Sequence, residues 1–364
     1  MVQDGVIAFN TESCELEVLT TSGRRLWKKW LGDPLMSMPA IAGGRVYMAY
    51  PNSHGGGQYY VAAFDLKTGV EVWKYPLPGE IITAPVIEND RLYLATVDGT
   101  IVSLNQRDGG KIWQESRNAT SAPAIWKDQC FFSRREETKV QQNGKAAVQQ
   151  NEGVAARGIA SASETVTIPA TRQKADYLDY SKRATSRKEV ASQSYDATVG
   201  FAASKGSAKM SGAVANIGQA SVHGIWAYQG SKPFIHKERL YSSMGSNARS
   251  VDPKSGKVLW SRDLREARKA AGIDDVLTPP AIVNGKVFVG TASGDVYALS
   301  EKTGDVLWKV ELGESISFQP TVANGRIYVG TDRGSLFCLL TGDAADDGWY
   351  MWGANAAHNG SGAR

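Results

Sequence analysis

The stretch "AFDLKTGVEVWKY", residues 63–75, decides the fold because the chain returns to it in altered copies. Each copy has a strand-like apolar run, a polar turn with a glycine, and a second run that carries a tryptophan four residues after that glycine. The copies are "VLTTSGRRLWKKW" from Val18, "SLNQRDGGKIWQE" from Ser103, "SVDPKSGKVLWSR" from Ser250 and "ALSEKTGDVLWKV" from Ala298. Because glycine adopts the positive φ of a tight turn at little cost, each copy predicts a strand, a turn and a second strand.

A second repeated signal alternates with the first. It consists of a proline, a short apolar strand, a polar turn and a strongly apolar strand, as in "PPAIVNGKVFVGT" from Pro279. Proline suits the first residue of a strand, because there its missing N–H is not needed by the ladder. The prolines that begin these units are Pro39, Pro85, Pro123, Pro233, Pro280 and Pro320.

Joined together, the two signals make four short strands over about 40 to 48 residues, the period of a β-propeller blade. The sequence therefore predicts one all-β domain over residues 1–364, a β-propeller of four-stranded blades. Seven groups are visible, the first of them (residues 5–28) without a first strand, and eight blades are the alternative. Each tryptophan is expected to wedge between adjacent blades, with its indole N–H on a backbone carbonyl. The predicted docking residues are Gly23, Trp27, Gly69, Trp73, Gly109, Trp113, Gly256, Trp260, Gly304 and Trp308.

The repeat is interrupted by one long segment. Residues 135–222 are rich in Ala, Gln, Ser and Lys and poor in aromatic residues, so they are predicted as an insertion within the fourth visible blade, flexible or locally structured. One short helix is expected within residues 174–192. Two interpretations stay open for the insertion: a disordered surface cover, or a ligand lid or partner contact.

The chain re-enters the repeat through "SVHGIWAYQGSKPF", from Ser221, which gathers polar and aromatic side chains. One interpretation is a ligand or partner contact near the mouth of a central channel. The other is a variant of the blade wedge, with Trp226 in place of the usual tryptophan. The candidate contact residues are Arg134, Arg135, His223, Trp226, Tyr228, Gln229 and Lys232. The tail tryptophans, Trp349 and Trp352, are expected to cover the exposed edge of the last blade.

Composition excludes several classes of protein. The chain is 42% hydrophobic and 21% charged, has no apolar run long enough to span a membrane, and does not begin like a signal peptide. Its net charge is only +4, and residues 135–222 hold twelve Lys and Arg against eight Asp and Glu, so nucleic acid is not an expected partner. The separated cysteines Cys14, Cys130 and Cys338 are predicted to be buried free thiols.

Residues 63–75 also resemble the tryptophan-docking motif of the pyrroloquinoline-quinone-type (quinoprotein-like) repeat propellers, A-x-D-x-x-T-G-K-x-x-W. Ala63, Asp65, Thr68, Gly69 and Trp73 fit the motif, and a valine replaces its lysine. The family includes quinoprotein dehydrogenases, a non-catalytic lipoprotein of outer-membrane assembly, and propeller sensors. The resemblance implies a bacterial protein that works in the periplasm or otherwise outside the cytoplasm.

The dehydrogenases of this family hold pyrroloquinoline quinone and a calcium ion with oxygen ligands, and the alcohol dehydrogenases add a pair of neighbouring linked cysteines. This sequence has no neighbouring cysteines, so it resembles the non-catalytic members more closely. We therefore expect a scaffold or recognition module that binds a protein or a small ligand in the central channel, without a cofactor or metal. The alternatives are a quinone- and calcium-dependent alcohol or sugar dehydrogenase, and a ligand-sensing propeller of a larger protein.

Overall fold

The computed structural model describes residues 1–11, 13–32, 37–52, 58–142, 145–160, 164–171, 232–264 and 277–360. For residues 135–152 it describes only how the backbone pairs. The chain forms two compact units: the first holds the strands before Pro123 and the tail residues Ala356–His358, and the second holds the later strands. The helix expected within residues 174–192 lies outside the described residues.

Every regular element in the described ranges is a β-strand. The strands of the first unit are β1 (Val2–Gln3), β2 (Val6–Asn10), β3 (Glu15–Thr20), β4 (Arg25–Trp30), β5 (Ala40–Ala42), β6 (Arg45–Pro51), β7 (Tyr59–Asp65), β8 (Glu71–Leu77), β9 (Val86–Glu88), β10 (Arg91–Ala95), β11 (Thr100–Asn105) and β12 (Lys111–Ser116). The strands of the second unit are β13 (Ala124–Trp126), β14 (Gln129–Gln142), β15 (Lys145–Gly158), β16 (Glu164–Thr171), β17 (Phe234–His236), β18 (Arg239–Met244), β19 (Asn247–Val251), β20 (Val258–Asp263), β21 (Ala281–Val283), β22 (Lys286–Gly290), β23 (Asp295–Ser300), β24 (Val306–Glu311), β25 (Thr321–Ala323), β26 (Arg326–Gly330) and β27 (Leu336–Leu340).

Consecutive strands pair antiparallel, so each sheet is a meander in chain order. The described strands make six four-stranded sheets, numbered 1 to 6 along the chain, and a three-stranded sheet 7 formed by β25, β26 and β27. This is the predicted fold class, an all-β propeller with seven blades. The expectation that the first group lacks a first strand is wrong, because Val2 and Gln3 pair with β2. Cys338 of β27 is exposed, which corrects the expectation that all three cysteines are buried.

The turn before each tryptophan strand is built from local hydrogen bonds. Asp65 Oδ1 accepts bonds from the backbone N–H groups of Lys67 at 3.1 Å and Thr68 at 2.8 Å, and from the Thr68 hydroxyl at 2.8 Å. The Thr68 hydroxyl is the main reason that the pKa of Asp65 lies below its usual value. Gly69 then closes the turn at φ 71°. The equivalent turn of sheet 1 is one residue shorter, because the Gly23 N–H bonds to Thr20 three residues back.

Tryptophans dock on the glycine turn of the following sheet. The Trp27 ring lies so close to Gly69 that a Cβ there would be 2.6 Å from it, and Trp27 Nε1 donates to the Leu66 carbonyl at 2.9 Å. Trp73 repeats the arrangement on Gly109 with the Gln106 carbonyl, and Trp260 repeats it on Gly304 with the Glu301 carbonyl. A flat ring against a glycine therefore joins these consecutive sheets.

Two further positions support the docked tryptophans of sheets 2 and 5, and neither was predicted from the sequence. An aromatic residue in the second strand contacts the ring, as Tyr47 contacts Trp73 with centroids 5.9 Å apart. A basic residue two positions earlier bonds the same carbonyl as the indole: Arg45 Nη1 donates to the Gln106 carbonyl at 3.0 Å. The pair of a basic and an aromatic residue two positions apart recurs in the sequences "GRVY", "DRLY", "ERLY" and "GKVF".

A buried ion pair fixes the chain that follows β27. Lys286 Nζ lies 2.7 Å from Asp346 Oδ1 and 2.8 Å from Asp343 Oδ2, and the Asp346 side chain is fully buried. Asn284 Nδ2 donates to both carboxylates at 2.8 Å. Burial alone lowers the pKa of Lys286, but the hydrogen bonds and charges of the two aspartates outweigh it and raise that pKa.

We expect Gly69→Ala to lower the free energy of unfolding more than Gly44→Ala does. Both glycines have nearly the same positive φ, 71° and 70°, so both variants incur a backbone cost of about 1–2 kcal/mol. Only Gly69 faces a ring; a Cβ at Gly44 meets nothing within 4 Å. The collision should add about 1–3 kcal/mol. Urea unfolding measures the difference, and equal losses would contradict tryptophan docking.

We expect Lys286→Met to lower the free energy of unfolding by about 3–5 kcal/mol, because Asp346 would remain buried without its cation. Lys28→Met is the matched control. Its Nζ is also 2.7 Å from a carboxylate, that of Glu15, but the lysine side chain is 45% exposed. Such an exposed pair contributes about 1 kcal/mol or less. Similar losses in both variants, measured by urea unfolding, would refute the role given to burial.

Candidate partner-binding surface

Sheet 4 differs from the others in the length of its middle strands. β14 and β15 each have 14 residues, whereas the middle strands of the other sheets have five to seven. Their pairing runs in one register from Gln129 and Gly158 to Gln142 and Lys145. The neighbouring strands stop early: β13 pairs up to Phe131 and β16 reaches only Glu152.

Residues 136–142 and 145–151 therefore form a two-stranded ribbon that no other described strand pairs with. We call this element the ribbon. Its two strands read "EETKVQQ" and "KAAVQQN", with four charged residues and few large apolar ones. A two-stranded hairpin without an apolar face of its own is marginally stable in water. It also offers two rows of backbone N–H and C=O groups for pairing.

The predicted contact residues divide into three groups. Arg134 and Arg135 lie in β14 where the ribbon leaves sheet 4, and they pair with Gly153 and Glu152. Lys232 lies inside the second unit. The remaining candidates lie outside the described residues: His223, Trp226, Tyr228 and Gln229.

Lys232 is fully buried just before the first strand of sheet 5. Its Nζ lies 4.2 Å from the ring centroid of Trp352 and 4.7 Å from that of Phe234. The two ring faces favour the charged amine, but burial opposes it more strongly and holds the pKa of Lys232 well below its usual value. This lysine is therefore part of the interior of the second unit.

The residues that follow β27 are called the tail. In the second unit the tail lies along the first strand of sheet 7. Trp349 exchanges both backbone hydrogen bonds with Val322 of β25, and its ring meets Phe234 edge-on with centroids 5.2 Å apart. Gln319 links the tail to sheet 6, since its amide donates to the Pro280 carbonyl and accepts from the Gly353 N–H. The tail thus covers the first edge of the last blade, β25, rather than its last strand.

In the first unit the tail covers the first strands of sheets 2 and 3. The Ala356 carbonyl accepts the N–H of Ile41 at 2.7 Å, and the Ala357 carbonyl accepts that of Ile87 at 2.9 Å. The buried His358 ring has its Nε2 3.0 Å from the Pro39 carbonyl, so Nε2 carries the proton and donates.

Four carboxylates on turns between strands accept hydrogen bonds from neighbouring residues. Asp98 accepts the Thr96 hydroxyl, Asp108 the Gly110 N–H, and Asp332 the hydroxyl of Ser315. Glu301 accepts the hydroxyl of Tyr241 at 3.0 Å. Within the described ranges there is no group of three or more His, Cys, Asp or Glu residues suited to hold a metal ion. No helix in those ranges is long and apolar enough to cross a membrane.

We expect Lys232→Met to change how stability depends on pH. The folded-state pKa of Lys232 lies below the usual 10.5, so the unfolded chain binds the proton more tightly than the folded one. Stability contributed by the neutral lysine is present above pH 10.5 and is lost as the pH falls through the folded-state pKa. The variant should therefore gain stability relative to the parent as the pH is lowered from 10.5.

Urea unfolding between about pH 7 and 10 measures this difference. Lys302→Met is the control, since it removes a lysine at an exposed turn position. Parallel curves for the parent and Lys232→Met would contradict a buried, neutral lysine.

Relatives of known name include both an assembly factor and a dehydrogenase. The outer membrane protein assembly factor BamB of Escherichia coli K12 is 35% identical over 79 residues, 20% of each chain. A quinone alcohol dehydrogenase subunit of Gluconacetobacter polyoxogenes is 35% identical over 101 residues, 25% of this chain and 14% of the relative. The matched segments thus span a fifth or less of these two relatives.

Among solved structures, BamB from Moraxella catarrhalis has a TM-score of 0.56 and 15% identity, and the match covers 93% of this chain and 80% of that one. This likeness shows the fold. The family model described as outer membrane protein assembly factor BamB matches residues 15–227 and 244–361, which is most of the chain. The resemblance to quinoprotein-like repeat propellers is thereby confirmed, and the chain belongs to the family described as outer membrane protein assembly factor BamB.

Proposed function

We propose that this protein is a non-catalytic propeller scaffold that recognises a protein partner outside the cytoplasm. The family supports this, since its model is described as an assembly factor and an E. coli relative carries that name. The observation that carries the proposal is the ribbon, because it is the part of the described fold that departs most from the blade repeat.

The ribbon favours a partner because no other described strand supports it. Sheet 4 ends where β16 stops pairing, and beyond that point two strands continue for seven residues each. Their polar sequence gives them no apolar face to bury, and two strands alone are marginal. A partner that adds backbone hydrogen bonds or polar contacts along the ribbon would supply the missing stabilisation.

The ribbon also favours a particular kind of interface. Its charged and amide residues suit a hydrogen-bonded, water-rich contact rather than a large apolar one. The sequence puts two arginines, Arg134 and Arg135, at its base, and arginine is a residue type that suits acidic groups of a partner. We therefore propose the ribbon as the partner contact.

A quinone- and calcium-dependent oxidoreductase is the second candidate. The specific observation in its favour is the 35% identity to a quinone alcohol dehydrogenase subunit over 101 residues. That reaction would need carboxylates free to bind a hard cation. Asp98 and Asp108 instead accept hydrogen bonds within their own turns, and Asp332 accepts the hydroxyl of Ser315, which favours the scaffold.

We expect that shortening the ribbon removes partner binding and leaves the fold intact. Replacing residues 136–151 with Asn-Gly joins the paired residues Arg135 and Glu152 by a two-residue turn that suits a hairpin. A photo-crosslinking amino acid at Gln141 of the intact chain, expressed in the cell envelope, should give one adduct identifiable by mass spectrometry. The same group at Lys67, on an exposed turn of sheet 2, is the control and should give none.

The purified partner should then bind the shortened chain at least about tenfold more weakly than the intact chain, with both unfolding at the same urea concentration. Equal binding would reject the ribbon as the contact. A titration with pyrroloquinoline quinone and calcium tests the second candidate: saturable binding with dye-linked oxidation of an alcohol or sugar would overturn the non-catalytic function.

A further inference from the structure

One end of sheet 2 carries a row of side chains that the blade repeat does not explain. Tyr50 of β6 pairs with Tyr60 of β7, and Tyr60 pairs with Pro76 of β8. Directly paired residues of antiparallel strands share one face of the sheet, so these three side chains lie side by side across three strands. We call them the tyrosine row. Both tyrosines are half-buried, and Pro76 is exposed.

The equivalent positions of three other sheets are polar. The pairs that correspond to Tyr60 and Pro76 are Thr100 with Ser116 in sheet 3, Asn247 with Asp263 in sheet 5, and Asp295 with Glu311 in sheet 6. A sheet of this repeat therefore folds without an aromatic row at this end. The two tyrosine rings are an addition to the blade, and a half-buried addition of this kind is available for binding.

The tyrosine row faces sheet 1. Phe64 lies four residues after Tyr60 on the same strand, and alternation places both side chains on one face. The Phe64 ring contacts Trp27 of sheet 1 with centroids 6.2 Å apart. Lys29 of sheet 1 has its Nζ 4.8 Å from the centroid of the same Phe64 ring. The tyrosine row therefore lies on the side of sheet 2 where sheet 1 packs.

The tyrosine row is a corrugated surface rather than one flat platform. The ring centroids of Tyr50 and Tyr60 are 6.1 Å apart, and the two ring planes are inclined by 39°. Lys74 Nζ lies 4.9 Å from the centroid of Tyr60, so an ammonium already covers one face of that ring. Stacking of a sugar or a base needs an open flat face, whereas the puckered ring of proline docks between aromatic side chains.

The polar groups around the tyrosine row are rich in hydrogen-bond donors. Burial, followed by the charge of Glu71, raises the pKa of the Tyr50 phenol, so its hydroxyl keeps its proton at neutral pH. The ammonium groups of Lys74 and Lys29 lie over the rings of Tyr60 and Phe64. A proline has a carbonyl acceptor but no N–H, and a polyproline II segment makes no internal hydrogen bonds. Such a segment is complementary to a surface of donors.

We propose that the tyrosine row binds a proline-rich segment of a partner protein in the polyproline II conformation. The row crosses two intervals between strands, a span of about 9.6 Å. One turn of a polyproline II helix has three residues and advances about 9.3 Å. One turn of a P-x-x-P segment therefore covers the row, and its preformed conformation keeps the entropy cost of binding low.

Residues 1–364 do not themselves supply this ligand. They contain no P-x-x-P sequence, and residues 172–231 contain no proline. A second copy of these residues lacks the ligand for the same reason. The tyrosine row belongs to sheet 2 and the ribbon to sheet 4, so this contact is additional to the proposed function. The chain with the shortened ribbon should therefore bind a proline-rich peptide as the parent does.

The probe is a synthetic peptide of nine prolines that carries a fluorescein on a glycine spacer. Labelled nonaproline should bind the full chain one to one, as followed by fluorescence anisotropy. A peptide of the same length with alternating glycine and serine is a flexible coil and should bind at least about tenfold more weakly. This comparison tests the conformation of the ligand.

Tyr60→Thr should weaken the binding of nonaproline at least about tenfold, because it removes the central ring of the row. Threonine occupies the equivalent position of sheet 3, Thr100, so the sheet should still form. Tyr350→Thr is the matched control: it removes a tyrosine of the tail that is 43% exposed, and it should leave binding unchanged. Urea unfolding shows that each variant is folded.

Lys74→Met is a second variant, at an exposed position where the substitution does not endanger the fold. It removes a donor beside Tyr60 and should weaken the binding of nonaproline by about threefold. Three results would overturn the proposal: no saturable binding of nonaproline, equal binding of the glycine–serine peptide, or parental affinity in both Tyr60→Thr and Lys74→Met.

Discussion

The contact between a tryptophan ring and the glycine of the next turn is the constraint on which the repeat depends. At Gly69, Gly109 and Gly304 a side chain would collide with the ring, and the positive φ of these turns independently favours glycine. The indole N–H also donates to a backbone carbonyl, and this hydrogen bond fixes where along the strand the ring lies. In sheets 2 and 5 a small residue opposite the tryptophan and an aromatic residue beneath it surround the same ring.

Most of the fold could be predicted because its signals are local. The spacing of four residues from glycine to tryptophan, and the proline at the start of each unit, both act within one hairpin. The features that the sequence did not predict are those that have no local signal. A two-residue strand such as β1 carries too little sequence to show a pattern. The exposure of Cys338 depends on whether a neighbouring strand covers it. The sequence of an apolar strand does not show whether such a neighbour is present.

The candidate site was predictable only in part. The change in composition after Arg134 predicted an insertion, but a polar, glutamine-rich sequence does not indicate strands. The continuous pairing of β14 and β15 was therefore not predicted. Lys232 was a candidate contact because it belongs to a stretch that gathers polar and aromatic side chains. Its long aliphatic stem and the adjacent rings of Phe234 and Trp352 make its burial tolerable, which only the tertiary structure shows.

The meander order of the sheets has a consequence for how the chain folds. Nearly all strand pairs join neighbours in sequence, so each sheet can form with short loop closures and a small loss of chain entropy. The tail is different: the hydrogen bond from His358 to Pro39 joins residues 319 positions apart. Sheets 2 and 3 must already exist before Ala356 and Ala357 find their partners. Docking of the tail therefore follows the formation of these sheets, and during synthesis it cannot occur before residues 356–358 have left the ribosome.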